Sequence, residues 1–303
     1  SGSPLITARY STSGAGTQTA GLHIAGNVGP SDTRTALVEE YNGSGFSAGG
    51  ALPTATRSGG SAGTQTAAFY AGGYATADVS SAYTYDGSSW TSIPSLGTAR
   101  RSLNPAGAGT TTASIVCGGY ASASPEGARA IVEEYNGSSW SEQNDLPAAR
   151  ANVAACGTQT ALIIANGGPS AVNLSFLYDG TNWTAAPNTN ATLTGRMGAG
   201  TQTAAIVVGG RPPTSNVTEN YDGTSWTTNP ATLATARYEG APATSGTSSE
   251  WMISGGYSTA VSAATEEFTT STNTITAAAW ASGGSLGTAR RQVGGFGHTT
   301  TTA

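Results

Sequence analysis

A pentapeptide, GTQTA, starts at Gly16, Gly63, Gly157 and Gly200, and this recurrence is the strongest constraint on how the chain can fold. A variant, GTTTA, starts at Gly109, and weaker forms follow at Gly246 (GTSSE) and Gly297 (GHTTT). Fixed-period self-similarity marks repeat architectures, in which one unit cannot bury its apolar faces alone and neighbours bury them for each other. Three further anchors keep the same order. An Arg after small residues falls at Arg9, Arg57, Arg100, Arg150, Arg196, Arg237 and Arg290, a mean period of about 47 residues that uses seven of the 12 arginines. Tyr-Asp/Asn-Gly-x-x-Trp reads YDGSSW from Tyr85, YNGSSW from Tyr135, YDGTNW from Tyr178 and YDGTSW from Tyr221, with Phe46 in the Trp slot of the copy from Tyr41. A copy from Phe268 lacks the turn and is followed by Trp280. Double glycines close an apolar run at Gly72, Gly118, Gly167, Gly209 and Gly255.

One unit, Arg196 to Arg237, reads as four strands. RMGAG is strand a, GTQT a turn, AAIVVGG strand b, RPPTSN a loop, VTENY strand c, and Trp226 opens strand d. The Asp222-Gly223 pair between c and d predicts a tight type I′ turn. Four antiparallel strands in about 45 residues, repeated radially, form a propeller blade. Strand a lines the crowded axis, which suits its Gly and Ala. The expected class is therefore all-β with no long helix. A charge-poor chain with 43 Gly could be disordered, but its hydrophobic residues, 37% of the total, fall in short runs bounded by turn residues.

The double Gly after strand b, the Tyr before the c–d turn, the Trp beyond it and the Arg before strand a together resemble the kelch repeat family. The resemblance covers nearly the whole chain and implies a kelch-like β-propeller. The wording of the GTQTA and YDGTSW repeats also resembles environmental bacteriophage proteins of the tail-fibre and virion structural type.

Repeats run roughly over 9–56, 57–99, 100–149, 150–195, 196–236 and 237–289, with a partial unit at 290–303. SGSPLITAR at the N-terminus aligns with SIPSLGTAR ending at Arg100, so residues 1–8 read as the end of a d strand. The expectation is one domain over 1–303 with seven blade positions, the seventh incomplete and split between the termini. Six blades are the alternative. The missing initiator Met fits a processed product or an excerpt of a longer chain.

There is no Lys, the net charge is -5, and no basic run could neutralise a nucleic-acid backbone. No apolar run approaches the length of a membrane span. Cys117 and Cys156 sit in strand-like stretches and read as buried free thiols in preference to a bridge. His23 and His298 have no neighbouring ligand set, so neither a metal site nor a cofactor is expected. The pairs Glu39-Glu40, Glu133-Glu134 and Glu266-Glu267 recur at one strand-c position, which favours a structural role over the acid–base pair of a glycosidase. The repeated Arg is expected to tie blades together; a cationic rim for anionic glycans is the alternative. Trp90, Trp140, Trp183 and Trp226 are expected to pack equivalently between blades.

Variable b–c loops, absent catalytic groups and uniform blades favour a non-enzymatic attachment module on a virion or extracellular surface. Its partners would be a cell-surface glycan or other virion or fibre proteins, self-association included. The candidate ligand residues are Tyr74, Tyr120, Arg211 and Tyr257, which lie in or near those loops. A purely structural fibre part and a glycosidase- or lyase-type propeller are the competing readings.

Overall fold

Five of the repeats close four antiparallel strands each, in the order a-b-c-d, in the computed structural model, which describes residues 2–29, 32–103, 106–123 and 127–270. Blade one holds Ser13–Gly16, Gly21–Ile24, Val38–Tyr41 and Phe46–Ala48. Blade two holds Gly60–Thr64, Ala67–Ala71, Ala82–Tyr85 and Trp90–Ile93. Blade three holds Gly107–Gly109, Ser114–Cys117, Val132–Tyr135 and Trp140–Glu142. Blade four holds Ala154–Gly157, Leu162–Ala165, Ser175–Tyr178 and Trp183–Ala186. Blade five holds Met197–Thr201, Ala204–Val208, Thr218–Tyr221 and Trp226–Asn229. Blade six has three strands of its own, Ala241–Pro242, Glu250–Ser254 and Thr265–Thr269. Among the described residues there is no helix.

The sixth blade takes its outer edge from the start of the chain. Gly2 pairs with Thr265, and the amides of Gly2 and Leu5 donate to the carbonyls of Thr265 (3.2 Å) and Ala263 (2.8 Å). The d-like N-terminal segment thus completes blade six, so the described residues form six blades, the alternative reading of the repeat, and no seventh position is seen among them. Residues 290–303, the other half of that expected blade, lie outside the described residues, as do Arg290, Trp280 and His298.

The small residues of strand a are required by the crowding at the axis. A Cβ on Gly14 would stand 2.3 Å from the Pro242 carbonyl oxygen, and one on Gly107 would stand 2.7 Å from the Ser61 amide nitrogen. Strand b supplies the buried apolar layer, with Ile115, Val116, Leu162, Ile164, Ile206 and Val208 all enclosed.

The c–d connection is not the two-residue turn predicted from the sequence. Tyr221 pairs with Trp226, so four residues form the loop. The Asp222 carboxylate accepts the amides of Thr224 (2.8 Å) and Ser225 (2.7 Å), and only Gly223 takes positive φ. Asp has the reach to satisfy those amides itself, which makes the longer Asx-type loop available. The Trp beyond this loop tilts against the Tyr before it at 4.7–5.2 Å in blades two to five. The indoles of Trp90, Trp140 and Trp183 donate to Gly50, Pro94 and Asn144 of the preceding repeat, whereas Trp226 is buried.

Candidate functional site

In this topology the a–b and c–d turns share one end of the propeller, and the b–c loops share the other with the d–a connections. The two ends differ in what their side chains do. At the turn end, glutamines of the GTQT turns hold the neighbouring blade. Gln65 Nε2 donates to the carbonyls of Gly21 (3.0 Å) and Tyr41 (2.7 Å), Gln159 to those of Ser114 and Tyr135, and Gln202 to those of Leu162 and Tyr178. The channel mouth there has about 630 Å³ of space among Gly, Ala and Thr, including Gly107, Ala155 and Gly200.

The repeated arginines are sorted by register. In every blade one d–a residue bridges to the third residue past strand b: Tyr10, Arg57, Arg101, Ala151, Thr194 and Tyr238. The residue before it is Arg9, Arg100, Arg150 or Arg237 in four blades, each buried. Arg9 pairs with Glu39 at 2.9 Å, Arg237 with Glu266 at 2.8 Å, and Arg100 with Glu133. The same carboxylate accepts the amides of the incoming connection, Ile6 (2.7 Å) and Thr7 (3.2 Å) for Glu39. Burial is the main cause that lowers Arg9 to about 10, opposed by Glu39. Blade four has Phe176 in the Glu position, and Arg150 stacks over its ring at 4.9 Å.

Two expected members of this set are displaced. Arg196 lies beyond Gly195 and reaches Glu219 from there; Leu193 fills its slot. Arg57 is one residue past the slot, which Thr56 fills with a contact to the Tyr70 hydroxyl (2.9 Å). One step along an extended strand turns the side chain to the opposite face, so Arg57 goes to the rim.

Six residues around the loop-end mouth adopt left-handed backbone: Ser11, Ser58, Ser102, Asn152, Gly195 and Glu239, with φ of 51–65°. Backbone hydrogen bonds link each member to the next or to the residue that follows it: Ser58 N to Ser11 O (2.8 Å), Leu103 N to Ser58 O (3.0 Å) and Asn152 N to Ser102 O (2.8 Å). The circuit continues with Gly195 N to Asn152 O (3.3 Å), Glu239 N to Gly195 O (3.1 Å) and Thr12 N to Glu239 O (3.4 Å). This closed circuit holds five non-glycine residues in a region they otherwise avoid. Its side chains and their neighbours form a polar well of about 310 Å³ lined by Arg57, Arg101, Arg211, Tyr10 and Tyr238 among others.

The well opens into a notch of about 530 Å³ with which it shares Ser102, Asn152 and Arg211. The notch exists because blade four presents only Ala151 and Gly168 at the bridging positions, beside Pro169 and Ser170. Tyr120 and Arg211, from non-adjacent repeats, line it together. Tyr74 and Tyr257 line neither cavity. Three guanidiniums, Arg34, Arg57 and Arg101, stand 5.0–5.4 Å from the Tyr74 ring centre. Tyr257 packs edge-on against Tyr10 at 5.2 Å. Tyr10, Arg101, Asn152 and Tyr238 are rim residues that the sequence does not single out, and Arg57 alone of the described repeated arginines takes the alternative rim role. Their common signal is a place one or two residues past the Arg slot.

Among the described residues no cluster of three or more His, Cys, Asp or Glu side chains converges to hold a metal. His23 is enclosed with Nδ1 2.7 Å from Ser254 Oγ, and burial with the Arg9 charge drives its pKa well below the ordinary value. Cys117 and Cys156 are buried free thiols, both pushed up by burial, Cys156 to about 12. Among the described residues no helix is long and apolar enough to cross a membrane.

Comparison with solved structures agrees with the fold. The chain is similar to the protein described as "Structure of YjhT", with a TM-score of 0.71 over 90% of this chain and 98% of that one. At 13% identity the likeness is one of fold. This is a six-bladed β-propeller. No protein-family model matches the chain, and no curated protein does.

Proposed function

We propose that this chain is a non-enzymatic attachment module of an extracellular or virion surface, which contacts a glycan or protein through its loop end. The observation that carries the reading is the contrast between the two ends. Turn-end glutamines are committed to neighbouring blades, and the turns repeat one design. The loop-end connections differ in length and chemistry, and they leave a polar well and a notch on a rigid scaffold, where binding residues are commonly carried. Asp32, Asp78 and Glu239, three carboxylates of the loop end, are each engaged by a guanidinium, which argues against their serving as a free acid–base pair. The likeness of the repeat to kelch units and to bacteriophage fibre proteins fits the same role.

A glycan array together with cell-surface adhesion tests it. The expected result is retention of the chain on a defined glycan or surface protein, lost in Tyr120→Ala. Binding that survives Tyr120→Ala and Arg211→Ala, or turnover of a polysaccharide, contradicts it. Absence of any ligand favours a purely structural fibre part.

A further inference from the structure

The distribution of charge narrows the ligand, given the loop end as the binding face. Of the described arginines, Arg9, Arg100, Arg150, Arg196 and Arg237 are buried. The rest, Arg34, Arg57, Arg101, Arg129 and Arg211, all belong to the b–c loops and d–a connections of the loop end. The turn end has no arginine among the described residues. It carries instead the exposed carboxylates Asp86, Asp179 and Asp222 of the c–d loops, and Glu250 beside an a–b turn. Amide and hydroxyl donors of the loops hold Asp86 and Asp222 down at about 2, so both are charged at neutral pH.

Four loop-end guanidiniums share three carboxylates. Arg34 and Arg57 each stand 3.3 Å from Asp32, Arg101 stands 2.6 Å from Asp78, and Arg211 stands 3.2 Å from Glu239. A guanidinium has five N–H donors in a planar fork. Arg57 and Arg211 each make one ion-pair contact, and the Arg57 Nε is enclosed without a partner. Both side chains line the well. Tyr and Ser hydroxyls and the Asn152 amide stand beside them and match sugar hydroxyls.

We infer that the well and notch take an acidic saccharide, and that Arg57 and Arg211 receive its carboxylate. The planar fork matches a carboxylate with two parallel hydrogen bonds. Asp32, Asp78 and Glu239, interspersed with the arginines, disfavour a densely sulfated chain.

The test immobilises polygalacturonate, dextran and dextran sulfate and measures binding of the full chain to each. The expected result is preference for polygalacturonate, weakened by added salt as surface charge interactions are screened. Arg57→Gln with Arg211→Gln should weaken it about tenfold or more, the loss of charge-assisted hydrogen bonds. Asp86→Asn with Asp222→Asn at the turn end should leave it unchanged. If the double arginine variant loses its fold, Arg57→Gln alone gives the same reading, because its partner Asp32 is about half exposed. Equal binding to dextran and polygalacturonate, lost in Tyr120→Ala, overturns the acidic ligand and keeps the loop-end reading. Preference for dextran sulfate overturns the carboxylate. Binding to polygalacturonate that ignores Arg57 and Arg211 overturns their role.

Discussion

The hydroxyl of Tyr41 donates to the carboxylate of Glu267 at 2.7 Å across 226 residues of chain, and Tyr85 does the same to Glu40 at 2.6 Å between adjacent repeats. The joint between blades six and one is therefore built like the joint between blades one and two. The phenols of Tyr41 and Tyr85 are both raised to about 12, by burial first and by the carboxylate second.

Removal of residues 1–8 should open this joint. The Thr265 and Ala263 carbonyls lose their partners, and Glu39 loses the Ile6 and Thr7 amides. Each buried polar group left unpaired costs about 1–3 kcal/mol. The shortened chain should show a lower denaturant midpoint, and amide exchange should rise first in blades six and one. An unchanged midpoint would contradict closure by the N-terminal segment.

The arginine register predicts opposite outcomes for two residues that share a sequence pattern. Arg196→Met leaves Glu219 buried without its cation, a loss of about 3–5 kcal/mol. Arg57→Met removes only a partly exposed pair, worth about 1 kcal/mol or less. Equilibrium unfolding of both variants reads the difference directly.

His23 gives the propeller an acid-side limit. Its folded-state pKa is depressed, so the folded protein keeps the ring neutral while the unfolded chain takes up a proton below about 6.5. Stability is thus full above that value and falls as pH drops, by up to about 1.4 kcal/mol per unit until the folded value is reached. The midpoint of unfolding followed from pH 7 to pH 5 should show this slope, and His23→Gln should flatten it.

The fold was largely legible because the repeat dictates it. GTQT, the double Gly and YDGxxW mark strand ends, and the strands of Arg196 to Arg237 fall where those marks put them. Periodicity counts strands but does not say which end of the chain pairs with the last c strand, so seven positions were preferred over the six that the described residues form. The roles of Gln65 and Gln202 were hidden for a related reason. A Gln in a turn reads as a solvated residue until the neighbouring blade brings the Tyr41 and Tyr178 carbonyls within reach. At the loop end, Tyr120 and Arg211 were visible as loop residues, but their meeting in one notch depends on the small Ala151 and Gly168 between them. Arg57 shares one sequence pattern with the arginines that the fold buries, because a one-residue shift leaves little trace in a loose repeat.

The central claim, that the loop end binds and the turn end holds the ring together, is tested most directly by reading stability and attachment on two sets of variants. Tyr120→Ala with Arg211→Ala should abolish attachment while the free energy of unfolding stays within about 1 kcal/mol of the parent, as expected for residues at the rim. Gln65→Ala with Gln202→Ala should leave attachment intact and lower stability by about 1–3 kcal/mol for each Gln, since each leaves carbonyls of the neighbouring blade unpaired. The reverse pattern, attachment lost with the glutamines and kept without Tyr120 and Arg211, would contradict the account.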